Sequence, residues 1–294
     1  MITPFKENGD VDYDAFVRNI ERWNGSPLGG YLVLGSNGET PFLTDKEKLS
    51  LIELTAQNAG KGRRVLAGTG HESTRQTIRF TNQAARLGAQ AALVLTPCYY
   101  GDAMDDKALI DHFSAVADAS DIPILIYNVP KFTHINISPR AVKILSGHPN
   151  IVGMKDSKGD IVQLRAFLRV VPKKFNLIVG SASILYEAVL AGVRSGILAL
   201  ANCAPNHCAA IQALCERGDR TKARQLQGRM LPVNKVTTDT CGIAGLKYAA
   251  TLVGYEGGYP RSPLQPLSSR AMRMISAALT TARMLPSGEQ KSAN

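Results

Sequence analysis

Two hydrophobic patterns alternate along this chain. Short, nearly continuous apolar runs lie at 30–35 (GYLVLG), 64–69 (RVLAGT), 91–96 (AALVLT), 122–127 (IPILIY), 151–155 (IVGMK), 177–181 (LIVGS) and 196–201 (GILALA). A strand with one wet face would alternate polar and apolar residues. Unbroken runs instead predict strands buried on both faces, as in a parallel sheet covered by helices. Between them lie amphipathic segments with helix-start chemistry. Thr44-Asp45-Lys46-Glu47 is a capping box ahead of Leu49, Leu51, Ile52 and Leu54. Ser73-Thr74 opens a segment carrying Ile78, Ala84, Ala85 and Leu87, which Gly88 closes; Asp105, Ser138-Pro139 and Asp160 begin others.

Seven such strands at the spacing of βα units, with a short eighth from 1–5 before a helix near 13–23, predict an α/β fold: a (β/α)8 TIM barrel. A doubly wound open sheet is the competing architecture. Against it, no strand leads into GxGxxG, and no GxxxxGK followed by Ser or Thr occurs. The strand pattern stops near residue 218. Apolar-periodic segments at 221–231, 242–252 and 268–284 predict a C-terminal helical extension over 219–294, beside a barrel over 1–218. The polar residues 286–294 are expected to fray.

Composition narrows the class. The 294 residues are 45% hydrophobic and 20% charged, which excludes disordered and collagen-like chains. No apolar run approaches the ~20 residues of a membrane helix. The cysteines at 98, 203, 208, 215 and 241 form no CxxC pair and no disulfide framework. A reducing compartment is expected, the cytoplasm or, in a eukaryote, the mitochondrial matrix; no targeting segment is visible. Net charge is +10, carried by residues 151–294, where 19 basic face 8 acidic side chains. That excess points to an anionic partner, whether nucleic acid, acidic lipid or a small molecule. No aromatic-interleaved basic stretch or nucleic-acid motif accompanies it, so a non-catalytic polyanion-binding barrel is the lesser reading.

A (β/α)8 barrel carries its chemistry at the C-terminal strand ends. One strand ends Ile151-Val152-Gly153-Met154-Lys155-Asp156; alternation puts Ile151, Gly153 and Lys155 on one face. A desolvated lysine at the barrel mouth suits attack on a carbonyl, although a solvated strand-end lysine would read the same way. Tyr127 ends another strand, as a proton donor and acceptor or as a packed rim residue. Gly35-Ser36-Asn37-Gly38-Glu39 offers small residues and backbone N–H groups for a carboxylate or phosphate, or simply a strand-to-helix turn. Tyr99 and Tyr100 follow a further strand, with a core or interface role as the alternative. His71, His112, His134, His148 and His207 show no HxH or HExxH spacing, and no metal site is expected. A GxSxG elbow is absent, leaving a serine hydrolase without support.

Taken in order, GSNGETPFLT (35–44), LAGTGHEST (66–74), TPCYYG (96–101), HPNIVGMKDS (148–157) and ALAN (199–202) resemble the dihydrodipicolinate synthase / N-acetylneuraminate lyase superfamily. Within it the likeness is nearest to 4-hydroxy-2-oxoglutarate aldolase. The resemblance implies a class I aldolase without metal or organic cofactor, acting on a small 2-oxo acid as a homotetramer. Lys155 would form the Schiff base and Tyr127 would shuttle protons, with Tyr99 reaching across from a neighbouring subunit. Ser36 and Asn37 would hold the substrate carboxylate; Ser157, backbone groups at Gly180 and the stretch around Leu198 would line the rest of the pocket. The expected reaction is cleavage of 4-hydroxy-2-oxoglutarate to pyruvate and an aldehyde such as glyoxylate. Condensation of pyruvate with aspartate semialdehyde, or sugar-acid cleavage, is the alternative. Two departures bear on that choice. Phe132 stands where the synthases have an arginine for the second substrate's carboxylate, beside Lys131, and His134 replaces a glycine. The chain also begins at Met1-Ile2-Thr3, where the family has several more residues of its first strand. That leaves barrel closure open to question.

Overall fold

The computed structural model describes residues 1–285. Seven parallel strands pair in chain order: β1 (Gly30–Val33), β2 (Arg64–Gly68), β3 (Ala91–Leu95), β4 (Ile124–Asn128), β5 (Ile151–Asp156), β6 (Asn176–Val179) and β7 (Ser195–Gly196). Around this curled sheet run α1 (Tyr13–Asn24), α2 (Asp45–Asn58), α3 (Thr74–Arg86), α4 (Asp106–Asp118), α5 (Pro130–Thr133), α6 (Pro139–Leu145), α7 (Ile161–Val170), α8 (Leu185–Leu190) and α9 (Pro205–Glu216). This is a (β/α)8-type TIM barrel. Each expected helix start is realised: the Thr44–Glu47 box forms reciprocally, and Ser73, Asp105, Ser138 and Asp160 accept from N–H groups of the first turn. Such a cap contributes ~1 kcal/mol.

The unbroken apolar runs are explained by two separate cores. Leu32, Leu93, Leu125, Tyr127, Val129 and Ile178 fill the barrel interior. Tyr31, Val33, Ala92, Val94, Ile124 and Ile126 point the other way and pack against the helices.

Three sequence expectations change. In β5 the register slips between Ile124 and Leu125, which pair with Ile151 and Gly153, so Val152 bulges out and is 38% exposed. Ile151 therefore joins Met154 in the outer core instead of sharing a face with Gly153 and Lys155. The run at 196–201 yields only the two residues of β7; Ala199–Asn202 turns into a 3-10 helix. There Asn202 accepts the Ile2 N–H on its side chain at 2.9 Å and the Trp23 indole N–H on its carbonyl at 3.3 Å, and neither is a ladder bond. Residues 1–5 supply no sheet strand. Met1 N donates to Leu32 O at 2.7 Å along the seam between β1 and β7, and Phe5 makes isolated bridges to Val11 and Tyr259.

The C-terminal extension comprises α10 (Arg220–Asn234), a π-helical stretch Lys235–Thr240, α11 (Gly242–Leu252) and α12 (Ser269–Thr281). Met230, Val233, Leu246, Ala249, Ile275 and Leu279 belong to the same buried cluster as the barrel's outer face. Residues 286–294, expected to fray, lie outside the described residues. Among those described, no helix is long and apolar enough to cross a membrane.

Candidate active site

The parallel register sets Tyr127 of β4 directly beside Lys155 of β5. Both point inward and are nearly closed off, at 6% and 5% exposure. The Lys155 ammonium lies 4.2 Å from the centroid of the Tyr127 ring. A cation over an aromatic face in a dry site gains ~2 kcal/mol. Among the described residues, Lys155 has no carboxylate within ion-pair range.

The Tyr127 hydroxyl sits 3.2 Å from Ser36 Oγ. Burial alone would raise this phenol, but the Lys155 charge and the Ser36 hydrogen bond outweigh it, and the net shift is downward. Ser36 opens the 3-10 turn Ser36–Gly38 after β1. Gly38 N and Glu39 N are taken by Gly35 O at 2.8 Å and Ser36 O at 3.2 Å. The N–H groups of Ser36 and Asn37 find no acceptor among the described residues, and remain for an anion.

Ser157 follows β5, and its Oγ is buried beside the Tyr127 hydroxyl without a hydrogen bond of good geometry. Gly180 explains how it fits. A Cβ on Gly180 would lie 2.0 Å from Ser157 Oγ and 2.9 Å from Asp156 O, so only glycine admits the serine there. The Gly180 N–H is itself engaged, donating to Asp156 O at 2.7 Å. Leu198 precedes the 3-10 turn after β7 and lines a cavity of about 620 Å³ with Gly30, Arg64, Asn176 and Ser195. This cavity opens at the N-terminal strand ends and includes none of Lys155, Tyr127, Ser36 or Ser157, so it does not join Leu198 to them.

Tyr99 is not drawn into this group within the chain. It is 78% exposed and stands edge-to-face with Tyr100, ring centroids 5.0 Å apart. Its loop is fixed by a residue that sequence reasoning passed over. Glu72 accepts from Cys98 N and Tyr99 N at 2.8 and 2.9 Å, and burial of its carboxyl is outweighed by these donors, leaving it below the ordinary carboxylate range. Phe132 is 52% exposed on α5, and His134 ends that helix at φ 57°.

Glu39 was also missed, although it closes the GSNGE segment. It is 1% exposed at φ 55°, a left-handed conformation costing a non-glycine residue ~1–3 kcal/mol. Its Oε1 lies 2.5 Å from Lys247 Nζ of α11, and its Oε2 accepts from Arg261 N at 2.8 Å. A signal was present: Lys247 is the one charged residue in the apolar helix GIAGLKYAATL. Among the described residues, no three His, Cys, Asp or Glu side chains converge to hold a metal ion.

Known proteins share this arrangement of elements. A family model described as the dihydrodipicolinate synthetase family matches residues 1–282. The 4-hydroxy-tetrahydrodipicolinate synthase of Acidiphilium cryptum (strain JF-5) is 35% identical over 280 residues, 95% of each chain. That of Bartonella quintana (strain Toulouse) is 33% identical over 286 residues, 97% of each. Among solved structures, chloride-inhibited dihydrodipicolinate synthase from Acinetobacter baumannii, complexed with pyruvate, superposes with a TM-score of 0.92 at 28% identity, over 97% of both chains. The enzyme from Aquifex aeolicus gives 0.90 at 30%, over 97% of this chain and 96% of its own. These relatives carry the synthase name, not that of 4-hydroxy-2-oxoglutarate aldolase. With one model spanning nearly its full length and relatives a third identical over the same span, the chain belongs to the dihydrodipicolinate synthetase family.

Proposed function

We propose that this chain is a pyruvate-handling class I aldolase in which Lys155 forms the Schiff base. The observation that carries the reading is a buried lysine without a carboxylate, lying over a tyrosine whose hydroxyl reaches Ser36. The Lys155 amine attacks the keto carbon of a 2-oxo acid. The carbonyl oxygen takes one proton from the lysine nitrogen and one from Tyr127 and leaves as water, and an iminium and a Tyr127 phenolate remain. In the cleavage direction, Tyr127 as phenolate takes the C4 hydroxyl proton, and the C3–C4 bond breaks toward the iminium. An aldehyde departs, the enamine gains a proton at C3, and hydrolysis frees pyruvate. In the condensation direction the order reverses. Ser36 and Asn37 N–H groups hold the substrate carboxylate, and Ser157 Oγ offers a further donor. Tyr99 joins the site from a second copy within a homotetramer.

The aldehyde partner separates two reactions. The relatives' names support condensation with aspartate semialdehyde, making 4-hydroxy-tetrahydrodipicolinate. Phe132 favours the other, cleavage of 4-hydroxy-2-oxoglutarate, because a phenyl ring cannot form the bidentate ion pair an arginine makes with a second carboxylate. Borohydride reduction in the presence of pyruvate tests the shared chemistry; the expected product is a covalent adduct on Lys155, and an unmodified Lys155 refutes it. Pyruvate release from a panel of 4-hydroxy-2-oxo acids, set beside pyruvate consumption with aspartate semialdehyde, identifies the partner.

A further inference from the structure

Glu39 directly follows the Ser36–Gly38 turn, yet its side chain is anchored more than 200 residues away in sequence. Lys247 of α11 is 1% exposed. Its ammonium sits 2.5 Å from Glu39 Oε1, donates to Tyr259 O at 2.5 Å and lies 4.4 Å from the Phe5 ring centroid. Arg261 reinforces the same junction. Its backbone N–H donates to Glu39 Oε2, and its guanidinium forks onto Glu47 at 2.9 and 2.5 Å while also covering Phe5. Glu47 in turn closes the Thr44 capping box of α2. The middle of the segment joining β1 to α2 and the first turn of α2 are therefore both gripped by the C-terminal extension. Just before Glu39, Thr3 Oγ1 donates to Gly38 O at 2.8 Å, adding a third hold.

A buried ion pair is a weak source of stability, since desolvating two charges offsets most of their attraction. What it supplies is direction. A carboxylate held in two places fixes the plane of Glu39, and with it the left-handed backbone that ends the turn. We infer that Glu39 and Lys247 are positioning residues, through which the C-terminal extension sets how the Ser36–Asn37 turn receives the carboxylate of a 2-oxo acid. This rests on the Schiff-base reading above.

Burial moves the Lys247 ammonium down to about 8, with the nearby Arg261 charge adding to that and Glu39 opposing it. The groups facing it are Glu39, Arg261, the Tyr259 carbonyl and the Phe5 ring. The pair therefore weakens in mildly alkaline solution.

The test uses the full chain, with pyruvate as the probe and borohydride trapping on Lys155 as the readout. The Glu39→Gln/Lys247→Met double variant removes both charges, so neither is orphaned. In it, the pyruvate concentration for half-maximal trapping should rise about tenfold or more, with the limiting yield and the thermal midpoint close to wild type. A half-saturating concentration within twofold of wild type overturns the inference. If the double variant does not fold, Glu39→Asp keeps the charge and tolerates the left-handed backbone. There a several-fold rise supports the role, and a change under twofold overturns it. Failure of the wild-type chain to be trapped at Lys155 would refute the Schiff-base reading instead, so the two failures are told apart.

Discussion

Lys155 and Lys247 are both almost closed off from solvent, at 5% and 1% exposure, and both lie over an aromatic ring, at 4.2 and 4.4 Å from its centroid. Their remaining neighbours differ. Lys247 has a carboxylate at 2.5 Å and a carbonyl at 2.5 Å, which hold its ammonium between them. Lys155 lies over the tyrosine, whose hydroxyl meets Ser36, and has no carboxylate within ion-pair range among the described residues. A lysine gripped by a carboxylate and a carbonyl is fixed in place, so its nitrogen cannot swing to a substrate carbon. One without such partners is free to do so, at a cost in folding free energy. Burial alone therefore does not distinguish the lysine proposed for the chemistry from the architectural one; the neighbouring carboxylate does.

The comparison breaks first on activity. Lys155→Met should lower turnover at least ~10⁴-fold, the scale on which removal of a covalent nucleophile acts. It should also leave the protein equally stable or about 1 kcal/mol more stable by urea unfolding, because an unpaired buried charge is removed. Loss of stability would place Lys155 in the same class as Lys247. Next comes the partner of the reactive lysine. Tyr127→Phe should reduce kcat ~10²–10⁴-fold with little change in KM, as expected for lost proton transfer; turnover near wild type would remove Tyr127 from the chemistry.

On the architectural side, Lys247→Met orphans Glu39 and should cost about 3–5 kcal/mol in urea unfolding, most of it recovered when Glu39→Gln is added. Equal losses in the single and double variants would mean the pair is not coupled. The smallest effect is on pH. The Arg261 guanidinium holds the Glu47 carboxyl down at about 2, against 4.5 when free. The folded-state value is depressed, so this contribution is present above pH 4.5 and lost as pH falls through 2. Thermal midpoints of wild type and Glu47→Gln should differ at pH 6 and converge toward pH 2; a constant gap refutes the linkage.

What the sequence revealed follows the same divide. Strand-end position put Lys155 and Tyr127 at the barrel mouth, where the register sets them side by side, but left a solvated lysine and a packed rim tyrosine equally open; their proposed roles came from the family resemblance. Ile151 was misplaced because a one-residue bulge at Val152 is decided by pairing with β4, which no single segment encodes. The run at 196–201 was read as a strand because a short apolar run looks alike in strand and helix; contacts to Ile2 and Trp23 decided the outcome. Gly180 was assigned to the pocket for its backbone, but its N–H is occupied and its missing side chain is what matters. The Glu39–Lys247 pair stayed hidden because its partners sit on opposite sides of the barrel sequence. Even so, a lone lysine in an apolar helix was an available clue.

The grip of Arg261 on Glu39 also sets an order of events during synthesis. The two residues are 222 positions apart. At ~5–20 residues per second, roughly 10–45 s separate their emergence as the chain is made. Throughout that interval the barrel strands are available to pair while the carboxylate at the end of the Ser36 turn has no cation to meet. A nascent chain ending before Lys247 would carry Lys155 and Tyr127 but not the Glu39–Lys247 pair inferred to orient the Ser36–Asn37 turn. On the positioning role inferred above, hold on a 2-oxo acid would come last, once the final helices dock and Lys247 meets Glu39.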